Sequence, residues 1–286
     1  MEACLLKMKF FLSSLLILSC SIESQIFNSQ AIVHPNVGKD GMVVTQHYLA
    51  TDVGHSILQK GGNAYDASIA VAFALAVVLP RAGNIGGGGF MLMHDGDTNK
   101  NYSIDYREIA PAGATKDMYL NKDGSVDKKR STQGALAIGV PGTVYGMWEV
   151  HKKFGSLPWK ELIKPAVDLA RNGFQISPFM ADALNSRYKK LGQFQNFKKI
   201  FYAEYPVAMH SNLVQVDLAN TLEIIAHKGA AGFYEGEIAE LIAGYMKSNN
   251  GLITKTDLRN YRPVWREPIQ ADYREYQIVT MPPPSS

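Results

Sequence analysis

The chain has 286 residues, and hydrophobic residues make up 46% of it, which is enough for the core of a globular protein. Its 29 basic and 26 acidic residues give a formal net charge of +3, and they are interspersed without any block of five like charges. This distribution argues against the basic surface of a nucleic-acid-binding protein, so no nucleic acid is expected as a partner.

The first 24 residues have the pattern of a secretory signal peptide. Lys7 and Lys9 precede an apolar run at residues 10–18, and small and polar residues follow that run. The run is shorter than the roughly 20 residues that cross a bilayer, so no stable membrane span is expected. Residues 17–20 have a faint likeness to a lipoprotein cleavage site, which leaves a lipid anchor as the alternative. The sequence therefore predicts export to the periplasm or the extracellular space, with residues 1–24 removed.

The cysteine and histidine positions argue against thiol and metal chemistry. Both cysteines, Cys4 and Cys20, lie in the predicted signal peptide, so the processed chain is expected to have no disulfide bond and no cysteine ligand for a metal. The seven histidines are scattered without HExxH or HxxxH spacing, and no metal site is predicted from them.

Residues 42–79 predict a short strand followed by two helices. The strand occupies residues 42–45, and apolar spacing predicts the first helix over residues 50–60. Asn63 and Asp66 then have the spacing of a capping box at the start of the second helix. That helix, residues 64–79, is apolar almost all the way round, so we expect it to be buried on every side.

Residues 83–90 read GNIGGGGF and raise the possibility of a phosphate-binding loop. Glycine loops that bind nucleotides follow a strand and open a helix, and the P-loop adds a lysine. Here the glycines follow a helix and precede a strand, and no lysine or serine comes after them, so the sequence argues against a nucleotide site. The glycines at residues 86–89 are expected either to let two backbones approach closely or to adopt positive φ.

A predicted β-hairpin follows, with strands at residues 90–94 and 102–107 joined by the turn sequence DGDTNK. Because side chains alternate along a strand, Asp105 and Arg107 lie on the same face. Asp105 can then orient the Arg107 guanidinium while its remaining donors bind the carboxylate of a ligand. The alternative is an exposed Arg107 paired with Asp105 or Glu108, and the residues alone leave both open.

Helices dominate beyond residue 110, and a second hairpin closes the chain. That hairpin spans residues 268–280, with its turn near Tyr273 and Arg274. Strands and a buried helix come first, helices follow and strands return, an order that predicts layered helices and sheets within one α+β domain. No GxSxG motif and no grouping of serine with histidine indicates nucleophilic catalysis. The predicted helices occupy residues 141–154, 159–171, 178–191, 219–227, 237–246 and 254–261.

Eight segments together resemble the large-subunit part of the γ-glutamyltransferases, also called glutathione hydrolases. In chain order they are GGNAYDASIAVAFALAVVLP, GNIGGGGFML, IDYREIAP, GVPGTVYGM, ELIKPAVDLARNGF, GFYEGEIAE, GLITKTDL and MPPPSS. The resemblance runs from about residue 32 to residue 286. It implies an α+β fold, the four-layer αββα sandwich of N-terminal nucleophile hydrolases, with residues 32–286 as a single domain that is incomplete in this chain.

The resemblance also implies a reaction and a role for Arg107. In the family the precursor cleaves itself, and the new N-terminal threonine of the small subunit attacks the γ-glutamyl amide with its own amine as the base. The γ-glutamyl group then passes to water or to an amino acid or peptide, and no cofactor is required. Arg107 matches the arginine that binds the α-carboxylate of the glutamyl substrate, and Asp105 is assigned to orienting it.

The nucleophile threonine is expected outside this chain, so no catalytic residue is assigned within it. The expected partners are γ-glutamyl compounds such as glutathione and the small subunit of the same precursor, and the chain alone is expected to be inactive toward a γ-glutamyl anilide. Two alternatives stay open. One is a non-catalytic protein that retained Arg107 to bind γ-glutamyl compounds, and the other is an acylase relative acting on a glutaryl or cephalosporin-type substrate, in which the acyl group lacks the α-amine.

Overall fold

The computed structural model describes residues 37–285, so the predicted signal peptide lies outside the described residues. Residues 37–42 belong to a unit separate from the rest of the chain and contain neither helix nor strand. Within the described residues, no helix combines the length and the apolar character needed to cross a membrane.

The remaining chain mixes helices with short antiparallel strands. The helices are α1 Tyr48–Gln59, α2 Ala64–Val78, α3 Thr143–Phe154, α4 Trp159–Asn172, α5 Pro178–Asn185, α6 Tyr188–Leu191, α7 Gln195–Phe201, α8 Val216–Lys228, α9 Ala231–Tyr234, α10 Gly236–Ser248 and α11 Lys255–Asn260. The strands are β1 Phe90–Asp95, β2 Lys100–Asp105, β3 Phe174–Gln175, β4 Asn212–Leu213, β5 Val264–Arg266, β6 Ile269–Tyr273 and β7 Tyr276–Thr280.

Helix α2 contributes more buried residues to the core than a helix with one apolar face would, and Ile69, Phe73 and Val77 have 0% of their surface exposed. The prediction that it is buried on every side is wrong for one stripe, because Ser68 is exposed and Val71 and Leu75 are only half-buried. Helices α1 and α4 pack along α2, and α8 packs against α4 in turn. Truncating a buried phenylalanine to alanine costs about 3–5 kcal/mol, so this helix supplies a large part of the stability.

The predicted capping box at the start of α2 is formed, and it also joins α2 to another helix. The Asp66 carboxylate accepts the Asn63 amide at 3.1 Å, and the Asn63 side chain accepts the Asp66 amide at 2.9 Å. Asp66 is fully buried and accepts further hydrogen bonds from the amides of Ser156 and Leu157, which follow α3. The beginning of α2 is thereby fixed to the end of α3.

Three antiparallel strands form the sheet that carries the candidate site, in the order β1, β2, β5. The β1–β2 hairpin is the one predicted. The sequence pattern does not predict β5, which pairs with the other side of β2 and places Val264 opposite Asp105 and Arg266 opposite Ser103. The Ser103 hydroxyl donates to the Arg266 carbonyl at 2.8 Å across a sequence separation of 163 residues. A distant part of the chain is therefore brought to the end of β2.

Strands β6 and β7 form the predicted second hairpin, with Arg274 at a φ of 55° in its turn. They make a two-stranded sheet in which Ile269 lies opposite Thr280. Because side chains alternate, one face of this hairpin is largely apolar, and we call it the hairpin face. Its residues are Ile269, Ala271, Tyr273, Tyr276, Ile278 and Thr280.

The strand predicted over residues 102–107 covers residues 100–105 instead, so Arg107 lies outside it. Two further segments depart from the predicted elements. Residues 43–45 do not form a strand, because the Thr45 hydroxyl bonds both the amide and the carbonyl of His47 and turns the chain into α1. The helix predicted over residues 178–191 is divided into α5 and α6, and at the break the Asn185 side chain bonds both backbone groups of Val207. Near residue 45 a side chain replaces regular backbone pairing, whereas near residue 185 a side chain ties the end of α5 to a distant segment.

Candidate carboxylate-binding site

Arg107 lies two residues beyond the end of β2, and its backbone is held on both sides. Its amide donates to Asp105 Oδ1 at 3.0 Å, and its carbonyl accepts a hydrogen bond from the Tyr261 hydroxyl at 2.9 Å. The preceding residue, Tyr106, exchanges two backbone hydrogen bonds with Gly89. The backbone position of Arg107 is therefore fixed while its side chain is exposed.

The Arg107 guanidinium has no acidic partner within residues 37–285. Its Nη1 atom donates to the carbonyl of Pro284 at 3.0 Å. An arginine side chain has five N–H donors, so this hydrogen bond leaves several of them for a ligand. A surface ion pair with Asp105 or Glu108 therefore does not describe this side chain, and its geometry is compatible with a carboxylate site.

Asp105 supports Arg107 differently from the orientation predicted. The residue is 7% exposed, and its Oδ2 accepts hydrogen bonds from Nε and Nη2 of Arg266 at 2.9 and 2.8 Å. Burying a carboxylate is costly unless it is paired and hydrogen-bonded, and Arg266 on the neighbouring strand β5 provides both the pairing and the hydrogen bonds. Asp105 thus binds the guanidinium of Arg266 and only the backbone amide of Arg107. It positions the backbone of Arg107 and leaves the Arg107 side chain free.

Tyr261 connects the end of α11 to the site. It is 1% exposed, and its ring stacks on Tyr234 with centroids 5.7 Å apart. Burial raises the pKa of the Tyr261 phenol above its usual value, and the nearby Asp105 raises it further. The phenol is therefore protonated at neutral pH and donates to the Arg107 carbonyl. Tyr261 therefore both packs in the core and holds the backbone of Arg107.

The glycine run lies directly against the backbone of Arg107. A Cβ atom on Gly88 would lie 2.5 Å from the Tyr106 carbonyl oxygen and 2.8 Å from the Arg107 Cα. None of the glycines at residues 86–89 has a positive φ. Of the two expected reasons for the glycines, close approach of two backbones is the one that the structure shows.

The same run closes off the start of α3. The Gly87 carbonyl accepts the amides of Gly142 and Thr143 at 2.7 and 3.0 Å. Those amides lie at the helix N-terminus, where a phosphate would bind in a nucleotide-binding loop. The Gly87 carbonyl already occupies these two amides, so they are not available to a phosphate. Helix α3 begins at Thr143, two residues later than predicted.

Tyr106 fills the space between the sheet and α3. Its hydroxyl donates to the Phe90 carbonyl at 3.3 Å, and a Cβ atom on Gly146 would collide with its ring. Burial raises the pKa of Tyr106 to about 12. The glycine in α3 therefore allows the helix to approach the residue that precedes Arg107.

Asp257 holds the segment that follows Arg107. It forms a capping box with Thr254 at the start of α11, and its Oδ1 accepts the Ala112 amide at 2.8 Å. Burial alone would raise the pKa of Asp257, but the hydrogen bonds from Ala112 and Thr254 lower it overall. The spacing of Thr254 and Asp257 is a signal that sequence reasoning could have used.

Arg266 and Tyr261 have no comparable local signal, because their partners lie 161 and 154 residues away in the chain. The sequence analysis therefore predicts Arg107 and Asp105 as site residues but misses the residues that hold them in place. Within residues 37–285, no three His, Asp or Glu side chains are grouped where they could hold a metal ion.

Comparison with known proteins gives the same family along nearly the whole chain. The family model described as "Gamma-glutamyltranspeptidase" matches residues 50–286. A glutathione hydrolase proenzyme of Escherichia coli K12 is 47% identical over 270 residues, covering 94% of this chain and 45% of that protein. The acylase ACY 1 proenzyme of Pseudomonas sp. V22 is 38% identical over 259 residues, covering 88% and 46%. The chain therefore spans about half the length of the curated relatives it matches.

Solved structures show the same similarity. The γ-glutamyltranspeptidase of Helicobacter pylori has a TM-score of 0.85 and 45% identity, covering 88% of this chain and 72% of that chain. The Pseudomonas nitroreducens γ-glutamyltranspeptidase, solved in complex with L-DON, has a TM-score of 0.82 and 44% identity, covering 87% and 73%. These similarities confirm the predicted α+β class in its N-terminal nucleophile hydrolase form.

Proposed function

Because this chain belongs to the γ-glutamyltranspeptidase family, we propose that it takes part in γ-glutamyl transfer, with Arg107 binding the substrate's α-carboxylate. The donors are glutathione and related γ-glutamyl amides, and the acceptors are water, amino acids or peptides. The activity belongs to the whole precursor, including its small subunit. No nucleophile is assigned within these 286 residues.

The observation that carries this proposal is the state of the Arg107 side chain. Its backbone is held by hydrogen bonds to Asp105 and Tyr261. Among the described residues, its guanidinium donates a hydrogen bond only to the Pro284 carbonyl. An arginine can bind a carboxylate through two parallel hydrogen bonds, which lysine cannot do. A hydrogen bond to a charged group contributes about 1.5–3 kcal/mol, and exposure to solvent places this one toward the lower end.

The proposed role is to position the substrate. The α-carboxylate of a γ-glutamyl group lies at the opposite end from the amide that reacts. A hydrogen bond there acts equally in the bound substrate and in the transition state, so it changes affinity and orientation. Loss of Arg107 is therefore expected to raise KM more than it lowers kcat.

A second candidate is an acylase reaction on a glutaryl amide, which the similarity to the ACY 1 acylase proenzyme favours. A glutaryl group also ends in a carboxylate, so Arg107 would serve both substrates. They differ in the α-amine, and only the γ-glutamyl group has one. A non-catalytic protein that binds γ-glutamyl compounds through Arg107 is the third candidate.

We also propose that the protein acts outside the cytoplasm. The relatives in Escherichia coli and Bacillus subtilis are bacterial glutathione hydrolases. The charged and apolar pattern of residues 1–24 is typical of a signal peptide, and it supports the periplasm or the extracellular space as the location. Fractionation of cells that express the chain, followed by mass determination of its N-terminus, tests this proposal.

Calorimetry with the 286-residue chain tests the role of Arg107. Glutathione is titrated into the chain, into its Arg107→Ala and Arg107→Lys variants and into Arg171→Ala, a control that changes an exposed arginine paired with Glu223. We expect both Arg107 variants to bind at least tenfold more weakly, since about 1.4 kcal/mol corresponds to a factor of ten. The control is expected to bind like the unaltered chain.

Three further ligands separate the candidates. A 4-aminobutyryl amide lacks the α-carboxylate and is expected to bind weakly to every variant. A glutaryl amide that binds as tightly as glutathione favours the acylase reading, because it lacks only the α-amine. Equal binding of glutathione to the unaltered chain and to Arg107→Ala overturns the assignment of Arg107.

A further inference from the structure

A cavity of about 930 Å³ lies between the end of α2 and helices α5, α6 and α7. It shares no lining residue with the surroundings of Arg107, and its volume lies in the range of small-molecule binding sites. None of the proposed steps of γ-glutamyl transfer uses it.

The interior of this cavity is apolar. Val78 and Leu184 are buried at its wall, and Leu191, Phe197 and Phe201 are half-buried beside them. These side chains come from four different helices, so the apolar surface surrounds the space from several directions. Burying a ligand's hydrocarbon part here would remove apolar surface from water on both sides.

The charged residues that line the cavity are all basic. They are Arg81, Arg187 and Lys190, and no Asp or Glu is found among the described residues of the lining. Within residues 37–285 none of the three forms an ion pair. Arg81 lies over the exposed ring of Phe179 at 5.1 Å, and Arg187 donates to the Ala183 carbonyl at 3.2 Å.

We propose that this cavity is a second binding site, and that its ligand is an amphipathic anion, a hydrocarbon chain that ends in a carboxylate. The hydrocarbon chain lies against Phe197 and Phe201, and the carboxylate lies against Arg187 and Lys190. Three cations without an acid among the lining residues favour an anion over a neutral or cationic amphiphile. The proposal is independent of γ-glutamyl transfer, because Arg107 does not take part in it.

Titration of the 286-residue chain with straight-chain amphiphiles, each below its micelle concentration, tests the ligand class. Affinity is expected to rise from hexanoate to octanoate to decanoate by about fourfold per methylene, the equivalent of about 0.8 kcal/mol. Decanoate is expected to bind about tenfold more tightly than decanol and tighter still than decyltrimethylammonium. Equal affinity for decanoate and the cationic amphiphile overturns the proposal.

Two double variants with the same change in net charge test the location. Arg187→Gln with Lys190→Gln removes two lining cations, whereas Lys189→Gln with Lys199→Gln removes two cations outside the lining. We expect decanoate affinity to fall about tenfold in the first and to stay unchanged in the second. An equal fall in both shows a general charge effect and overturns the site.

A third variant fills the space. Ala183→Trp adds a large side chain to the lining and is expected to abolish decanoate binding while Arg107-dependent glutathione binding persists. Unchanged decanoate binding in a folded Ala183→Trp protein places the ligand elsewhere and overturns the proposal. The two double variants change exposed side chains only. They therefore still test the location of the site if the tryptophan variant does not fold.

Discussion

The Asp105 carboxylate binds both a guanidinium and a backbone amide, although the residue is almost completely buried. One oxygen accepts both donors of Arg266, and the other accepts the backbone amide of Arg107. Truncating one partner of such a buried pair leaves an uncompensated charge, which costs more than the pair itself contributes. The position of Arg107 therefore depends on an ion pair in which its own side chain takes no part.

The Tyr261 hydroxyl is the second support of Arg107, and its removal separates positioning from general stability. Tyr261→Phe leaves the Arg107 carbonyl without its donor, so we expect a loss of about 1–2 kcal/mol in the free energy of unfolding. We also expect weaker glutathione binding. Urea unfolding and calorimetry measure the two effects.

Tyr202→Phe is the matched control for that variant. The Tyr202 hydroxyl also donates to a backbone carbonyl, that of Leu184, at 2.8 Å, and the residue is equally buried. We expect a similar loss of stability and no change in glutathione affinity. If both variants lower glutathione affinity alike, Tyr261 acts on stability alone.

The buried tyrosines also give the stability a pH dependence. Burial raises the pKa of Tyr106 from 10.0 to about 12, so the folded state holds that proton more tightly than the unfolded state. A pKa shift of about two units stabilises the folded state by about 2–3 kcal/mol. This contribution to the free energy of unfolding is fully present below about pH 10 and is lost as the pH rises toward 12. Urea unfolding at pH 8 and pH 11 measures this fall.

Tyr106→Phe is the comparison for the pH experiment. Burial raises the pKa of Tyr234 and Tyr261 as well, so the variant keeps part of the pH dependence and is expected to lose stability less steeply. Equal slopes in the two proteins would contradict the assignment to Tyr106.

At the scale of elements, the glycine run at residues 86–89 allows two backbone segments to pack closely, and Gly88 shows this most directly. We expect Gly88→Ala to cost more than about 2 kcal/mol, because its methyl group would meet the backbone of Tyr106 and Arg107 at 2.5 and 2.8 Å. Glutathione affinity is expected to fall with it, since Arg107 must move. Thermal unfolding and calorimetry provide the measurements.

Gly86→Ala is the control two residues earlier. Nothing lies within 4 Å of a Cβ atom there, and Gly86 has no positive φ, so the substitution is expected to be neutral or to stabilise by about 0.4–1 kcal/mol. If Gly86→Ala and Gly88→Ala lose similar amounts of stability, close approach of the backbone at Gly88 does not explain the effect.

An element can be predicted from the sequence when the residues that stabilise it are close together in the chain. Helix α2, its capping box and both hairpins depend on residues near one another in the chain, and they form where the pattern predicts them. Strand β5 has three residues and exists through its pairing with β2, so neither length nor periodicity reveals it. The motif predicts Arg107 as a site residue, whereas no local pattern predicts the contact of Arg266 with Asp105.

At the scale of the molecule, the hairpin face is an exposed apolar surface among the described residues that can pair with another chain. Ile269, Tyr273, Tyr276 and Ile278 are 47%, 56%, 64% and 47% exposed, respectively. A two-stranded hairpin with an exposed apolar face is a site for pairing with other chains. Ile269→Lys with Ile278→Lys is therefore expected to lower the concentration-dependent mass measured by light scattering.

Gln270→Lys with Gln277→Lys adds the same charge to the opposite face of the hairpin and is the control. We expect it to leave the mass distribution unchanged. If both pairs reduce association equally, net charge is the cause, and the hairpin face is not the contact surface.

The pairing of β2 with β5 also has a consequence for the order in which the protein folds. The Ser103 hydroxyl and its partner carbonyl are separated by 163 residues, so their contact closes a very long loop. Such closures are slow, because their entropy must be lost before the contacts they make can compensate. During synthesis, the hairpin that carries Arg107 emerges early and must wait for β5. The carboxylate site is therefore expected to be among the last parts of the chain to reach its native geometry.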